Sequence, residues 1–339
     1  MSTIEDIFRL TTNDKIDCMR NNIPKVGVVI PTYERPDHSE ANGFVLEAIQ
    51  SVLDQTVPVN DIVVSIDGSS TNIKSLIKNN FKGIKIIESV EKVGGSKARN
   101  NGFDSLDVND QFVAFLDDDD KWYQNKLKEQ LNEALKQTDS RYFIFTNVVY
   151  DEPDGQKIRP INRISNNESA ADFIFLRQGY ITTSSLLIPF ETFNNIRFKN
   201  GLKKHQDWDL IFRANLINGI RMIQISEPLV WYRMQYSGRN NSVSSVIDWK
   251  FSHNWIIGFN NLISKKVIAS FDKDQVLPGL ISDHELGILN KIYFYLIVSL
   301  DFNFGIFNWY LLKRMFFVLF NHFIGKHLKI SDKVKEKNE

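Results

Sequence analysis

The stretch FVAFLDDDD, Phe112 to Asp120, constrains this chain more than any other. The apolar or small residues Phe112 to Leu116 end abruptly in four consecutive carboxylates, Asp117 to Asp120. A run this short, aromatic and β-branched, reads as a strand buried on both faces. In an open α/β sheet, ligands bind just beyond the carboxyl ends of the strands, where these acids would fall. Adjacent carboxylates repel one another, so a fold that gathers them needs a compensating positive charge. A divalent cation with oxygen ligands would supply it and could also hold a substrate's phosphates. The competing reading is a solvated acidic turn ahead of a helix starting near Trp122, since acids suit a helix N-terminus.

The rest of the chain bears on that choice. Its 339 residues are 42% hydrophobic and 24% charged, enough for one large core or two smaller ones. The formal net charge is zero, so no global field points to nucleic acid as a partner. A single cysteine, Cys18, excludes an internal disulfide framework and is consistent with a reducing compartment. The N-terminus lacks the basic start and apolar core of a signal peptide. No run approaches the roughly 20 apolar residues of a spanning helix. The expected location is the cytoplasm.

Residues 1–24 read as a polar arm. The pattern sharpens at Val26 to Pro31, a buried strand, followed by the loop Thr32-Tyr-Glu-Arg-Pro36 and a helix from about Asn42 to Asp54. Asp61 to Ile66 is a second strand ending in the turn-forming cluster Asp67-Gly-Ser-Ser-Thr71. Ile73 to Asn80 reads as a helix, Ile84 to Ile87 as a third strand, and Val93 to Gly102 opens another helix. After the strand at Phe112, a helix from Trp122 to about Lys136 precedes a fifth strand, Tyr142 to Val148. Strands alternating with helices at this spacing argue for a parallel sheet with right-handed crossovers. Past residue 150 the rhythm changes. Asp151 to Asn167 is loop-like, Thr182 to Ile188 a strand, Pro189 to Asn194 a short helix, and Lys204 to Arg213 begins a further helix. Arg221 to Arg233 holds one or two strands, and from about Val246 the pattern is mainly helical.

Four strand ends carry polar residues: Thr32 with Glu34, Asp67, the Gly94–Gly102 loop, and Asp117 to Asp120. A parallel sheet puts these ends on one side, which makes a nucleotide cleft the natural reading. Gly94 and Gly95 would admit a ligand close to the backbone, with Lys97 and Arg99 able to meet phosphate. Taken singly, each feature has an ordinary alternative: a loop-to-helix junction, a common Asp-Gly-Ser turn, a surface ion pair between Glu34 and Arg35.

In order and spacing, the set resembles the family 2 glycosyltransferases, whose catalytic domain has the GT-A fold, an α/β sheet flanked by helices. VVIPTYER resembles that family's opening strand and loop, SIDGSS its second-strand motif, and GGSKARNNG its donor-loop motif. FLDDDDKW is similar to its Asp-any-Asp metal site and HQDWDL to its later acidic motif. The resemblance covers roughly residues 25–235. Two positions depart from the pattern: Ile66 replaces the first acid of the second-strand motif, and Gln206 stands where Glu is usual.

The resemblance implies an inverting transferase acting on a nucleotide-sugar, a UDP-sugar by preference, and a saccharide or lipid-linked glycan acceptor. Thr32, Glu34 and Asp67 would line the nucleoside pocket. Asp117 would face the ribose or the metal, and Asp119 would ligate Mn²⁺ or Mg²⁺ on the diphosphate. Asp118 and Asp120 would cap a helix or bind donor-sugar hydroxyls. Asp207 would be the general base that takes the acceptor hydroxyl's proton; a simple helix cap is the alternative for it. His205 is either a third metal ligand or a solvated histidine. Arg233 or Arg239 would close over the phosphates.

By the same reading, residues 25–240 form the GT-A domain and residues 246–339 a helical region that packs on the catalytic domain or a second copy. The other role for that region is peripheral contact with the inner face of the cytoplasmic membrane, through the apolar stretches Ile292 to Leu300 and Met315 to Ile324. Two rival functions remain: a sugar-phosphate nucleotidyltransferase, and a non-catalytic nucleotide-sugar-binding protein.

Overall fold

Strand β1 (Val26–Thr32) is buried along its whole length, as expected of an unbroken apolar run. It pairs in parallel with β2 (Asp61–Ile66) on one side and β4 (Phe112–Phe115) on the other, and β2 pairs in parallel with β3 (Lys85–Glu88). These contacts are seen in a computed structural model that describes residues 24–35, 42–107, 109–152, 155–233, 248–283 and 286–301. The polar arm expected over 1–24 falls almost wholly outside the described residues.

The crossovers between these strands are helical because their apolar positions recur at helical spacing. In α1 (Phe44–Leu53), Val45, Ala48, Ile49 and Val52 are buried, one stripe of three- and four-residue steps. α2 (Thr71–Asn80) buries Ile73 and Ile77, and its N-cap Ser70 accepts the Ile73 N–H at 3.2 Å, a cap of a kind worth about 1 kcal/mol. α3 (Gly95–Asp104) lies against β1 through Gly102, where a Cβ would come within 2.3 Å of Val29 Cγ1.

Beyond β4 the sheet departs from the expected parallel order. β8 (Leu186–Pro189) runs antiparallel to β4, with Ala114 opposite Leu187, and antiparallel also to β6 (Tyr142–Glu152). β6 lies parallel to β9 (Arg221–Tyr232), and β5 (Lys121–Trp122) closes the edge antiparallel to β9. The strand order is β3-β2-β1-β4-β8-β6-β9-β5, with β7 (Gly155–Arg159) hairpinned onto β6. An antiparallel β8 brings its own starting turn, the 3-10 turn Thr183–Ser185, to the carboxyl end of β4.

Two local expectations change. The helix placed at Trp122 begins at Lys126 and ends at Ala134 (α4), because Lys121 and Trp122 pair with Trp231 and Val230 instead. Trp122 is fixed there by its N–H to Ser51 Oγ (3.1 Å) and its indole N–H to the Ser184 carbonyl (2.8 Å). The loop expected over 151–167 contains β7, whose residues Lys157 to Arg159 meet Tyr150 to Val148.

The chain divides into two compact units, Met1–Asn166 with Gly179–Asn240, and Asn167–Gln178 with Asn241–Glu339. The second is helical: α5 (Ala170–Leu176), α8 (Trp249–Ile257), α9 (Lys265–Phe271), α10 (Leu277–Ser282) and α11 (Ile288–Asp301). Phe271 organises it, with ring centroids of Phe175 and Trp255 each 5.4 Å away. The first unit also holds α6 (Phe190–Ile196) and α7 (Gln206–Phe212), which continues as a π-helical turn to Ile217. Among the described residues no helix is long and apolar enough to cross a membrane. The apolar stretch at Met315 to Ile324 and the tail beyond it lie outside the described residues.

Candidate active site

The four aspartates after β4 do not behave alike. A turn closed by the Asp120 N–H on the Asp117 carbonyl (3.0 Å) directs two of them inward and leaves two half-buried. Asp118 is sealed in a two-pronged pair with Arg35, each N–O distance 2.8 Å, and also accepts the Thr32 hydroxyl. Asp120, 1% exposed, accepts the Ser184 hydroxyl at 2.7 Å and the Arg233 N–H at 3.3 Å. Burial, reinforced by the neighbouring charges of Asp119 and Asp117, pushes the Asp120 carboxyl well above the usual carboxylate range.

Asp117 and Asp119 remain partly open. The Asp117 side chain is 27% exposed and pairs with Arg99, whose other terminal nitrogen donates to Gln206 Oε1 at 3.1 Å. Arg99 is itself buried, and the adjacent charges of Asp117 and Asp207 overcome that burial to keep it firmly charged. The Asp119 backbone carbonyl accepts Arg233 Nε–H at 3.1 Å. Arg233 also reaches Glu47 at 2.8 Å and lies 3.9 Å over the Phe44 ring, so its guanidinium anchors the acid loop. Arg239 lies outside the described residues.

The remaining residues singled out in the sequence fall along the same edge. Asp67 accepts the N–H groups of Val93 (2.6 Å) and Gly94 (3.0 Å), tying the end of β2 to the loop that starts α3. Gly94 has φ +85°, a conformation that glycine adopts without penalty. Glu34 accepts from Asn72 Nδ2 at 2.6 Å, and Lys97 sits half-buried in the first turn of α3. Asp207, in the first turn of α7, accepts the Thr183 hydroxyl at 2.6 Å and the Thr183 N–H at 3.2 Å. Burial raises the Asp207 carboxyl pKa; Arg99 and the Thr183 bonds pull against the rise, and Asp117 adds to it. His205 is buried and stacked on Trp208, ring centroids 5.2 Å apart. Burial, together with the charge of Lys204, lowers its pKa to about 3, so it is neutral; of the two readings, the solvated histidine does not hold.

Sequence reading missed three participants. Arg35 passed for half of a surface pair with Glu34 yet serves Asp118, and Thr183 and Ser184 passed for strand residues. A run of four hydroxyls, Thr182 to Ser185, ahead of an apolar strand was the available signal, because buried hydroxyls need partners.

Together, the curled mixed sheet, the helices on its faces and the acids at its carboxyl edge define a glycosyltransferase of the GT-A class. The model of Glycosyl transferase family 2 matches residues 27–204, and the chain belongs to that family. Among relatives it is similar to the amylovoran biosynthesis glycosyltransferase AmsB of Erwinia amylovora, 31% identical over 262 residues, covering 74% of this chain and 82% of that protein. It is also similar to the putative teichuronic acid biosynthesis glycosyltransferase TuaG of Bacillus subtilis, 29% identical, covering 67% of this chain and 84% of that one. The fold matches S. aureus TarS 1-349, solved in complex with UDP-GlcNAc, with a TM-score of 0.55 at 16% identity, covering 76% of this chain and 80% of that one. Family membership decides against the nucleotidyltransferase and the non-catalytic binding protein.

Proposed function

We propose that this enzyme moves a sugar from a nucleotide-sugar, in the first instance a UDP-sugar, to a hydroxyl of a growing surface glycan, inverting the anomeric centre in one displacement. The observation that carries this reading is the separation of carboxylates into two kinds. Asp117 and Asp119 stand half-open together at the sheet edge, while Asp207 stands apart on α7, across Arg99. A single displacement needs that division: one group for the leaving diphosphate and one base for the incoming hydroxyl. The complex of TarS with UDP-GlcNAc and the glycan-building names of AmsB and TuaG support the donor and acceptor classes.

The acid pair also fits a divalent cation of the Mn²⁺ or Mg²⁺ kind. Among the described residues no group of three or more His, Cys, Asp or Glu could hold a metal alone. Such ions commonly take one or two carboxylates and complete their shell with water and substrate phosphates, which is what Asp117 and Asp119 offer. When bound, the cation would offset the charge developing on the leaving diphosphate. Thr32, Glu34 and Asp67 shape the nucleoside end, Asp67 by holding the Val93–Gly94 loop. Lys97 and Arg99 face the phosphates. Asp118 contributes through Arg35, holding the loop beneath the donor. Asp207 accepts the acceptor's proton, a role suited to a carboxyl whose pKa burial has raised.

In the helical region, Leu289, Tyr293 and Leu296 form an exposed apolar stripe on α11, which supports contact with a membrane surface or a second copy. Flotation with anionic liposomes and sizing in solution separate the two; a monomer that never floats would remove both.

Asp207→Asn tests the mechanism. Donor and Mn²⁺ binding should stay near wild type while kcat falls by roughly 10²-fold or more. NMR of the product linkage should show a configuration opposite to the donor's. Retention would sink the single displacement, and near-normal turnover would move the base elsewhere, first to Asp209.

A further inference from the structure

One turn of 3-10 helix touches both chemically distinct ends of the site. Thr183, Ser184 and Ser185 are fully buried. The Thr183 hydroxyl donates to one oxygen of Asp207 at 2.6 Å, and its N–H to the other at 3.2 Å. The next hydroxyl, that of Ser184, donates to Asp120 at 2.7 Å and accepts the Asp117 N–H at 3.2 Å. Ser185 closes the turn on the Thr182 carbonyl through its hydroxyl (2.7 Å) and its N–H (3.0 Å). The turn cannot drift, because β8 follows at once and is paired with β4 on one side and β6 on the other. Trp122 adds a bond to its middle carbonyl.

Buried hydroxyls are costly unless bonded, and here adjacent ones are bonded to two separate carboxyls, Asp207 on α7 and Asp120 in the acid loop. A carboxylate on a helix can rotate about two side-chain torsions. Bonds to both of its oxygens from one fixed residue stop both rotations. Each carboxylate oxygen has two lone pairs, so Asp207 keeps room to take a proton while so held. We infer that Thr183 is a positioning residue for glycosyl transfer, fixing the Asp207 carboxylate relative to the acid loop that the adjacent Ser184 holds. The inference rests on Asp207 being the general base.

Placement of a base matters because small errors in its reach cost rate rather than binding. Thr183→Val keeps the shape and the N–H but removes the hydroxyl. With UDP-sugar donor and Mn²⁺, its kcat should fall by about tenfold or more while donor affinity by calorimetry stays within about twofold. Thr183→Ser, which returns the hydroxyl, should recover most of the rate. In the Asp207→Asn background, Thr183→Val should cause no further loss, since there is no carboxylate left to position. Should the Val variant fail to fold, as judged by its melting transition, Thr183→Ala carries the same comparisons. A Val or Ala variant with wild-type kcat, or losses that multiply in the double variant, would overturn the inference and leave the base assignment standing. Near-normal turnover of Asp207→Asn alone would remove the base assignment and the inference with it.

Discussion

Arg35 and Asp118 form a two-pronged ion pair shut off from solvent, both N–O distances 2.8 Å and each side chain 7% exposed. A buried pair of this kind is costly to break from one side, because the orphaned charge stays in a poor solvent. Arg35→Met should therefore lower unfolding free energy by about 3–5 kcal/mol. Removing both charges in Arg35→Met/Asp118→Leu should return much of that loss. Denaturant unfolding of the two variants measures it, and equal losses in both would show that the charge pairing is not what holds the loop.

Asp119 should behave in the opposite way. It is half-buried and belongs to the open pair, so Asp119→Ala should leave the melting transition near wild type. Mn²⁺-dependent binding of the donor, followed by calorimetry, should disappear. Unchanged donor affinity in that variant would remove Asp119 from the proposed metal site.

Asp110 offers a pH test away from the chemistry. It is 4% exposed, accepts Asn60 Nδ2–H at 2.8 Å, and its Oδ2 has no hydrogen-bond partner among the described residues. Burial raises its carboxyl pKa to about 6. Between the unfolded value near 4 and that folded value, the native state binds the extra proton, so stability falls as pH rises through the window. Asp110→Asn cannot titrate. Its stability relative to wild type should improve from pH 4 to pH 6.5 by on the order of 1–3 kcal/mol and then level off. A difference that stays constant across that range would show that Asp110 is ionised throughout.

What the sequence determined alone was the half of the sheet built from local repeats. The strands at Val26, Asp61 and Phe112 were legible as short, nearly unbroken apolar runs, and helices α1 and α2 because their apolar residues recur at three- and four-residue steps. The position of the acids followed too, since a buried run that stops at charge has to stop at the edge. The division among those acids did not follow. Four identical residues in a row carry no local signal of direction. Arg35 lies 83 residues from Asp118, Ser184 lies 64 from Asp120, and the Arg233 N–H lies 113 from it. The same holds for β5, a two-residue strand that exists only because Trp231 and Val230 come to meet it, and for β8, whose direction is set by the neighbours it enters between. Hydrogen-bond partners and burial at these places come from distant parts of the chain, so only the tertiary structure decided which acids stay half-open and which are buried and hold the loop.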